Sequence, residues 1–209
     1  MLPDLTVKEF LAQTASGSPF PGGGSVAALS ASLSASLTEM VANLTIGKKG
    51  YESVTREMKA AAAKARKERD QFIKDIDLDS SAYQQVMAAY KLRAETEKEK
   101  KQKKRAIERA LKKAARIPLS VATRAVSLME LIQTVVEKGN KNARTDGIVA
   151  ALMAKAAILS ALCNVRTNLS SIEDNAFVEE MEKKATHLEL TAMDKERKII
   201  GAHNFTQTV

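Results

Sequence analysis

The chain has 209 residues, 44 % hydrophobic and 28 % charged, which is enough for one domain with a substantial core and excludes disorder as the default. Aromatic residues make up only 4 % and tryptophan is absent, which argues against a β-sandwich and for helices packed through small side chains. The net charge of +8 has one address: residues 91–116 carry twelve Lys/Arg against four Asp/Glu, and the rest of the chain is balanced.

Taken in order, Thr6-Val-Lys-Glu9 is a capping box with Leu5 and Phe10 placed as a hydrophobic staple, predicting a short helix over 7–15 that ends at Gly17. A turn with Pro19, Pro21, Gly22, Gly23 and Gly24 follows, and Ser25 is placed to cap a helix over 26–44. Leu29, Leu33, Leu37, Met40 and Leu44 form its apolar stripe, and Ala and Ser fill most other positions. Gly47 and Gly50 bracket a Lys48-Lys49 turn before a third helix over 51–75. The run DIDLDSS reads as a second turn, with Asp79 or Ser80 capping a long helix through the basic arm. That helix should bend or break near Pro118, resume to about 136 and stop at Gly139 as a left-handed terminal residue. Residues 140–146 (NKNARTD) lead into a helix over 147–168, and the last helix is capped near Asp174 and runs to about 200, before a frayed tail. Nothing alternates with period two. The expected fold is all-α, a single-domain bundle of about six or seven helices over 1–209.

Residues 10–38 carry no charge, but prolines, glycines and serines interrupt them and leave too short an apolar run for a membrane span. Asp4, Lys8 and Glu9 stand where a signal peptide would be basic. A single cysteine, Cys163, cannot form an internal disulfide and reads as a buried inert thiol. A cytoplasmic protein with no membrane partner is the reading that follows.

No phosphate-binding, dinucleotide-binding or HExxH motif is present, and His187 and His203 lie far along the chain from the glycine turn. Metal chemistry is therefore not expected, and acid–base work falls to carboxylates, lysines or tyrosines. Gly24-Ser-Val-Ala-Ala-Leu29 is echoed by Gly147-Ile-Val-Ala-Ala-Leu152. Either two helices simply need small faces, or two helix N-termini converge on an anionic ligand.

PFPGGGSVAAL, LTIGKKGYE, DSSAYQQVMAAYKL, GNKNARTD and NVRTNLSSIED follow one another in an order that resembles the cyclodeaminase/cyclohydrolase family of folate enzymes, from about Leu5 to Ile200. Departures are small: Phe20, Thr145 and Thr167 stand where that family usually has Ala, Ser and Ile. The resemblance implies an all-helical homodimer acting on tetrahydrofolate derivatives, polyglutamylated or not, with no cofactor beyond the folate substrate. It implies one of two reactions. A cyclohydrolase opens 5,10-methenyltetrahydrofolate to 10-formyltetrahydrofolate; a cyclodeaminase closes 5-formimidoyltetrahydrofolate with release of ammonia.

As a residue Asp146 reads as a helix N-terminal cap; the resemblance argues for more, a catalytic carboxylate that moves protons or binds the pterin's 2-amino group and N3. Gly22, Gly23, Gly24 and Ser25 would admit folate to a helix N-terminus. Lys48 and Lys49 suit the glutamate tail. Arg166, set in an apolar stretch, should face an acid or the ligand. Asn140, Asn142, Asn164 and Asn168 could meet the pterin edge. Asp79 and Tyr83 fit the pattern too, though a cap and a core aromatic explain them. The basic arm reads as a solvated helix with Ile107, Leu111 and Ala114 or Ala115 buried, in preference to a polyglutamate guide. The rival class is a non-catalytic basic helical module for nucleic acid or a protein partner. Nucleic acid is disfavoured, because no aromatics interleave with the lysines.

Overall fold

The computed structural model describes residues 1–201, among which there is no strand. Six helices follow one another: α1 (Val7–Thr14), α2 (Gly23–Asn43), α3 (Thr55–Tyr90), α4 (Glu97–Lys138), α5 (Arg144–Leu169) and α6 (Asn175–Gly201). Single 3-10 turns lie at Leu2–Asp4, Glu52–Val54 and Lys141–Ala143. His203 and the tail expected to fray fall outside the described residues beyond Gly201.

Helix α2 sits at the centre, against α3, α4 and α5. Its buried row is Ala27, Ala28, Ala31, Ala35 and Ala42, each at most 1 % exposed. Such small side chains let backbones approach until the Ser34 hydroxyl donates to the Ala150 carbonyl of α5 at 2.7 Å. Gly23 lies beside Asn164 while Ser34 lies beside Ala150, so α2 and α5 run antiparallel. The leucine stripe packs inward only in part: Leu29 and Leu37 are half-buried against the core, but Leu33 is 47 % and Leu44 49 % exposed, with Met40 beside them. The alanine face, not the leucine face, allows this close approach. Cys163 is likewise exposed on α5, not buried.

The turn expected at DIDLDSS is absent, and α3 runs unbroken for 36 residues. Its polar residues are taken up by other helices. Asp75 accepts from the Arg124 guanidinium of α4, and the Ser80 hydroxyl lies 3.2 Å from that of Ser25 on α2. The chain turns later, at 91–96, where Thr96 and Glu99 form a capping box that starts α4.

Pro118 does not break α4, which continues for 42 residues. Proline cannot donate to the carbonyl four residues back, that of Ala114. Asn168 of α5 donates its side-chain amide to that oxygen instead, at 3.2 Å. Gly139 ends α4 in an extended conformation (φ −78°), not a left-handed one. A Cβ there would meet the Val135 carbonyl oxygen at 2.3 Å, so close approach explains the glycine.

The basic arm buries Leu111, Ala114 and Ala115, with Ile107 partly covered, as its spacing predicts. Lys104 pairs with Glu173 and Lys112 with Asp174, tying the arm to the turn between α5 and α6. Helices α2, α4 and α5 are long and apolar enough to cross a membrane by length and composition, and half or more of each apolar window is buried inside the bundle.

Candidate functional site

The glycine turn opens onto a cleft of about 360 Å³ between α3, α4 and α5, a size that suits a small ligand. Helix α2 starts at its floor without a capping side chain: Gly22 is the N-cap, and no side chain of its own accepts from the first N–H groups. Ser25, expected as that cap, lies inside the first turn, and its hydroxyl donates to the Ile76 carbonyl of α3 at 2.9 Å.

Asp79 fills the missing position from α3. A Cβ on Gly24 would stand 2.0 Å from Asp79 Oδ1, so only glycine lets this carboxylate reach the helix end. Burial raises the Asp79 pKa above the ordinary aspartate value, and hydrogen bonding with Ser25 draws it part of the way back. Gly23 backs onto the Asn164 side chain, 3.2 Å from where its Cβ would be. The Asn164 amide donates to Ser160 within its own helix at 2.8 Å. Tyr83, Val86 and Tyr90, spaced along one face of α3, line the side wall, with both tyrosines more than 40 % exposed. Leu111 and Ala114 of α4 and Asn168 of α5 complete it. One carboxylate, two amides, a helix N-terminus and two phenol rings therefore share a half-open apolar slot. That set can hold a flat heterocycle and transfer a proton.

The remaining candidates, Arg166 apart, gather at the other end of the α2/α5 pair. Asn140 is buried and fully engaged there. Its N–H donates to Thr45 Oγ1 (2.8 Å) and its side-chain amide to the Leu44 carbonyl (3.1 Å). Its Oδ1 accepts from Lys48 Nζ (2.7 Å) and from the Asn142 N–H (3.1 Å). Lys49 is exposed nearby, and Asp146 is half-buried in the first turn of α5. Asp146 and Asn164 lie on the same row of α5, but five turns, about 27 Å, apart. Within one chain the two echoed hexapeptides thus start at opposite ends, and their N-termini do not converge. Arg166 meets acids: Glu182 at 2.9 Å and Glu189 at 2.7 Å, both on α6, outside the cleft. His187 is exposed on α6, and no three His, Cys, Asp or Glu side chains converge as a metal site among the described residues.

The structure therefore brings together Gly22, Gly23, Gly24, Asn164, Asp79, Tyr83 and Asn168, with Ser25 just beneath. It separates them from Asp146, Lys48, Lys49, Asn140, Asn142 and Arg166. Val86 and Tyr90 escaped the sequence reading, although Tyr83, Val86 and Tyr90 carry a helical spacing that marks one face. A larger groove of about 720 Å³ follows the basic arm, but Lys104 and Lys112 on it are already matched by Glu173 and Asp174.

Residues 6–187 match the formiminotransferase-cyclodeaminase family, and the chain belongs to that family. It is 40 % identical over 175 residues to the methenyltetrahydrofolate cyclohydrolase of Methylorubrum extorquens, covering 84 % of each chain. It is 33 % identical to the formimidoyltransferase-cyclodeaminase of Gallus gallus over 80 % of its own length but only 31 % of that protein. The crystal structure of formiminotetrahydrofolate cyclodeaminase from Thermotoga maritima superposes with a TM-score of 0.85 at 31 % identity, over 97 % of this chain and 98 % of that one.

Proposed function

We propose that this protein is a folate one-carbon enzyme that hydrolyses 5,10-methenyltetrahydrofolate to 10-formyltetrahydrofolate in the glycine cleft. The observation that carries this reading is the 40 % identity to a methenyltetrahydrofolate cyclohydrolase along most of both chains. Water adds to the methenyl carbon, one of its protons leaves, and the bond to N5 breaks as N5 gains a proton. Proton transfer and an oriented water are what this needs, and side chains supply both with no cofactor beyond the substrate. The test is loss of the near-ultraviolet band of 5,10-methenyltetrahydrofolate on mixing with the protein. Decay no faster than buffer overturns it. The second reading is the cyclodeaminase, favoured by end-to-end similarity to the Thermotoga protein. Ammonia release from 5-formimidoyltetrahydrofolate would select it.

The same reading includes a homodimer. The outward positions of α2 and α5, among them Leu33, Leu37, Met40, Val149, Leu152 and Cys163, form one uncharged face along both helices. A second copy of that face is its occupant, because apolar surface of this extent is covered in a stable protein. A two-fold axis lying in the face and across the helices exchanges their ends. It sets Asp146 of the partner subunit, with its lysines, over this chain's glycine cleft, where the carboxylate moves protons and the lysines meet the glutamate tail. Leu33→Glu should then yield monomers by sedimentation. A monomeric parent protein, or one that binds lipid vesicles through this face, contradicts the dimer. Mixing inactive Gly24→Ala and Asp146→Asn proteins after joint refolding should restore about a quarter of parental turnover, since half the dimers hold one intact site. No restoration excludes a shared site.

A further inference from the structure

Among the described residues, the two fully buried carboxylates are matched by arginine, whereas half-buried Asp79, which faces the cleft, has no ion pair. Glu39, 6 % exposed, accepts from Arg66 at 2.8 Å and Arg69 at 2.7 Å. Asp75 is paired with Arg124. Asp79 is the one charged side chain among the described residues that line the cleft. Its neighbours there are neutral: Ser25 from α2, Ser80 and Tyr83 from α3, Leu111 and Ala114 from α4, and Asn164, Thr167 and Asn168 from α5. A half-buried carboxylate without a cation is costly, and it suits a site whose cation arrives with the ligand. A methenyl carbon between two folate nitrogens is such a cation, an amidinium.

Resting on the proposed reaction, we infer that Asp79 is the counter-ion of the cationic one-carbon bridge and the base that takes a proton from the attacking water. In the first step the water oxygen bonds to the methenyl carbon, the electron pair of the C=N⁺ bond moves onto nitrogen, and one water proton passes to an Asp79 oxygen. The product is a neutral carbinolamine. In the second step the carbon–N5 bond breaks with its electron pair on N5, N5 takes up a proton, and the carbinol O–H proton leaves as the formyl C=O forms. The proton held on Asp79 is released to solvent, which accounts for the single proton that hydrolysis of the cation liberates. The raised proton affinity that burial gives this carboxylate strengthens it as a base.

Asp79 also lies at the uncapped end of α2, so a purely structural role must be separated from a chemical one. Asp79→Asn does this: it keeps an acceptor oxygen of the same shape for the Ser25 N–H but cannot take the proton. Far-ultraviolet circular dichroism should be unchanged, while turnover of 5,10-methenyltetrahydrofolate falls at least about 100-fold. The parent's kcat/KM should decline on acidification with a midpoint above 3.8, the ordinary aspartate value, and this acid limb should be missing in the variant. Of the other titratable side chains, Tyr83 and Tyr90 on the cleft are phenols and cannot mimic it, and an acid limb due to the partner subunit's Asp146 would persist in Asp79→Asn. Turnover within about threefold of parent, or an unchanged acid limb, overturns the inference and leaves the proposed function standing. If the parent consumes neither folate substrate, both fall together. If Asp79→Asn does not fold, the parent's profile decides, and absence of an acid limb above 3.8 overturns the assignment.

Discussion

The two ends of the α2/α5 pair are built from similar materials and used differently. At the Asn140 end every polar group of that residue is answered by protein: Thr45, Leu44, Lys48 and Asn142 all meet it. At the glycine end the acceptor Asp79 has no cation, two tyrosines line open space, and each of two asparagines gives its amide a single bond to a helix carbonyl. Asparagine is equally polar in both places. What differs is whether the fold has already satisfied it, and an amide with all its partners in the chain holds the chain together, whereas an unanswered group in a cleft waits for a ligand.

Substitutions at each end test that contrast. The largest effect is expected at Gly24→Ala, whose Cβ would displace the Asp79 carboxylate that it would otherwise meet at 2.0 Å. Turnover should fall by at least about 100-fold, about 2.7 kcal/mol in activation free energy. Asn140→Ala should act on stability instead, costing roughly 2–3 kcal/mol in denaturant titrations because buried donors and acceptors lose their partner. If Asn140→Ala leaves stability intact, the contrast between the ends is wrong. Asn164→Ala should do the reverse: its amide bonds only to its own helix, so stability should hold while turnover drops about tenfold.

The smallest effect concerns pH and stability. Because folding raises the Asp79 pKa, the stability contributed by its protonated form is fully present below the unfolded value, near 3.8, and lost as pH rises through the folded one. Asp79→Asn, which never ionises, should therefore equal or slightly exceed the parent's stability at neutral pH. The gap should close on acidification below 3.8, measured as the difference in unfolding free energy across pH. A variant that is more stable but inactive would set the glycine end apart as a place of function.

How much of this the chain announced follows the range of the interactions involved. The capping box at Thr6 and Glu9 was legible because four consecutive residues define it. The same signal at Thr96 and Glu99 is just as local, but it competes with DIDLDSS, whose composition equally suits a turn. The polar groups of that run meet Arg124 and Ser25, partners some fifty residues away. The glycine turn was recognisable as a site for its composition. Asp79, the reason for its third glycine, was not singled out as the site's carboxylate, because that contact spans two helices. Asp146 and Asn164 fall on one row of α5, and no one-dimensional pattern reveals that five turns separate them.

Pro118 carries a consequence beyond the course of α4. Without its N–H, the Ala114 carbonyl holds the Asn168 amide to itself, so a backbone vacancy in one helix decides how many donors a neighbouring helix can offer to a guest. A helix-favouring residue at 118 would look like an improvement in local propensity. It would also unlock an extra hydrogen-bond donor on the cleft wall, so the choice of imino acid at a buried position sets the polarity that an incoming heterocycle meets.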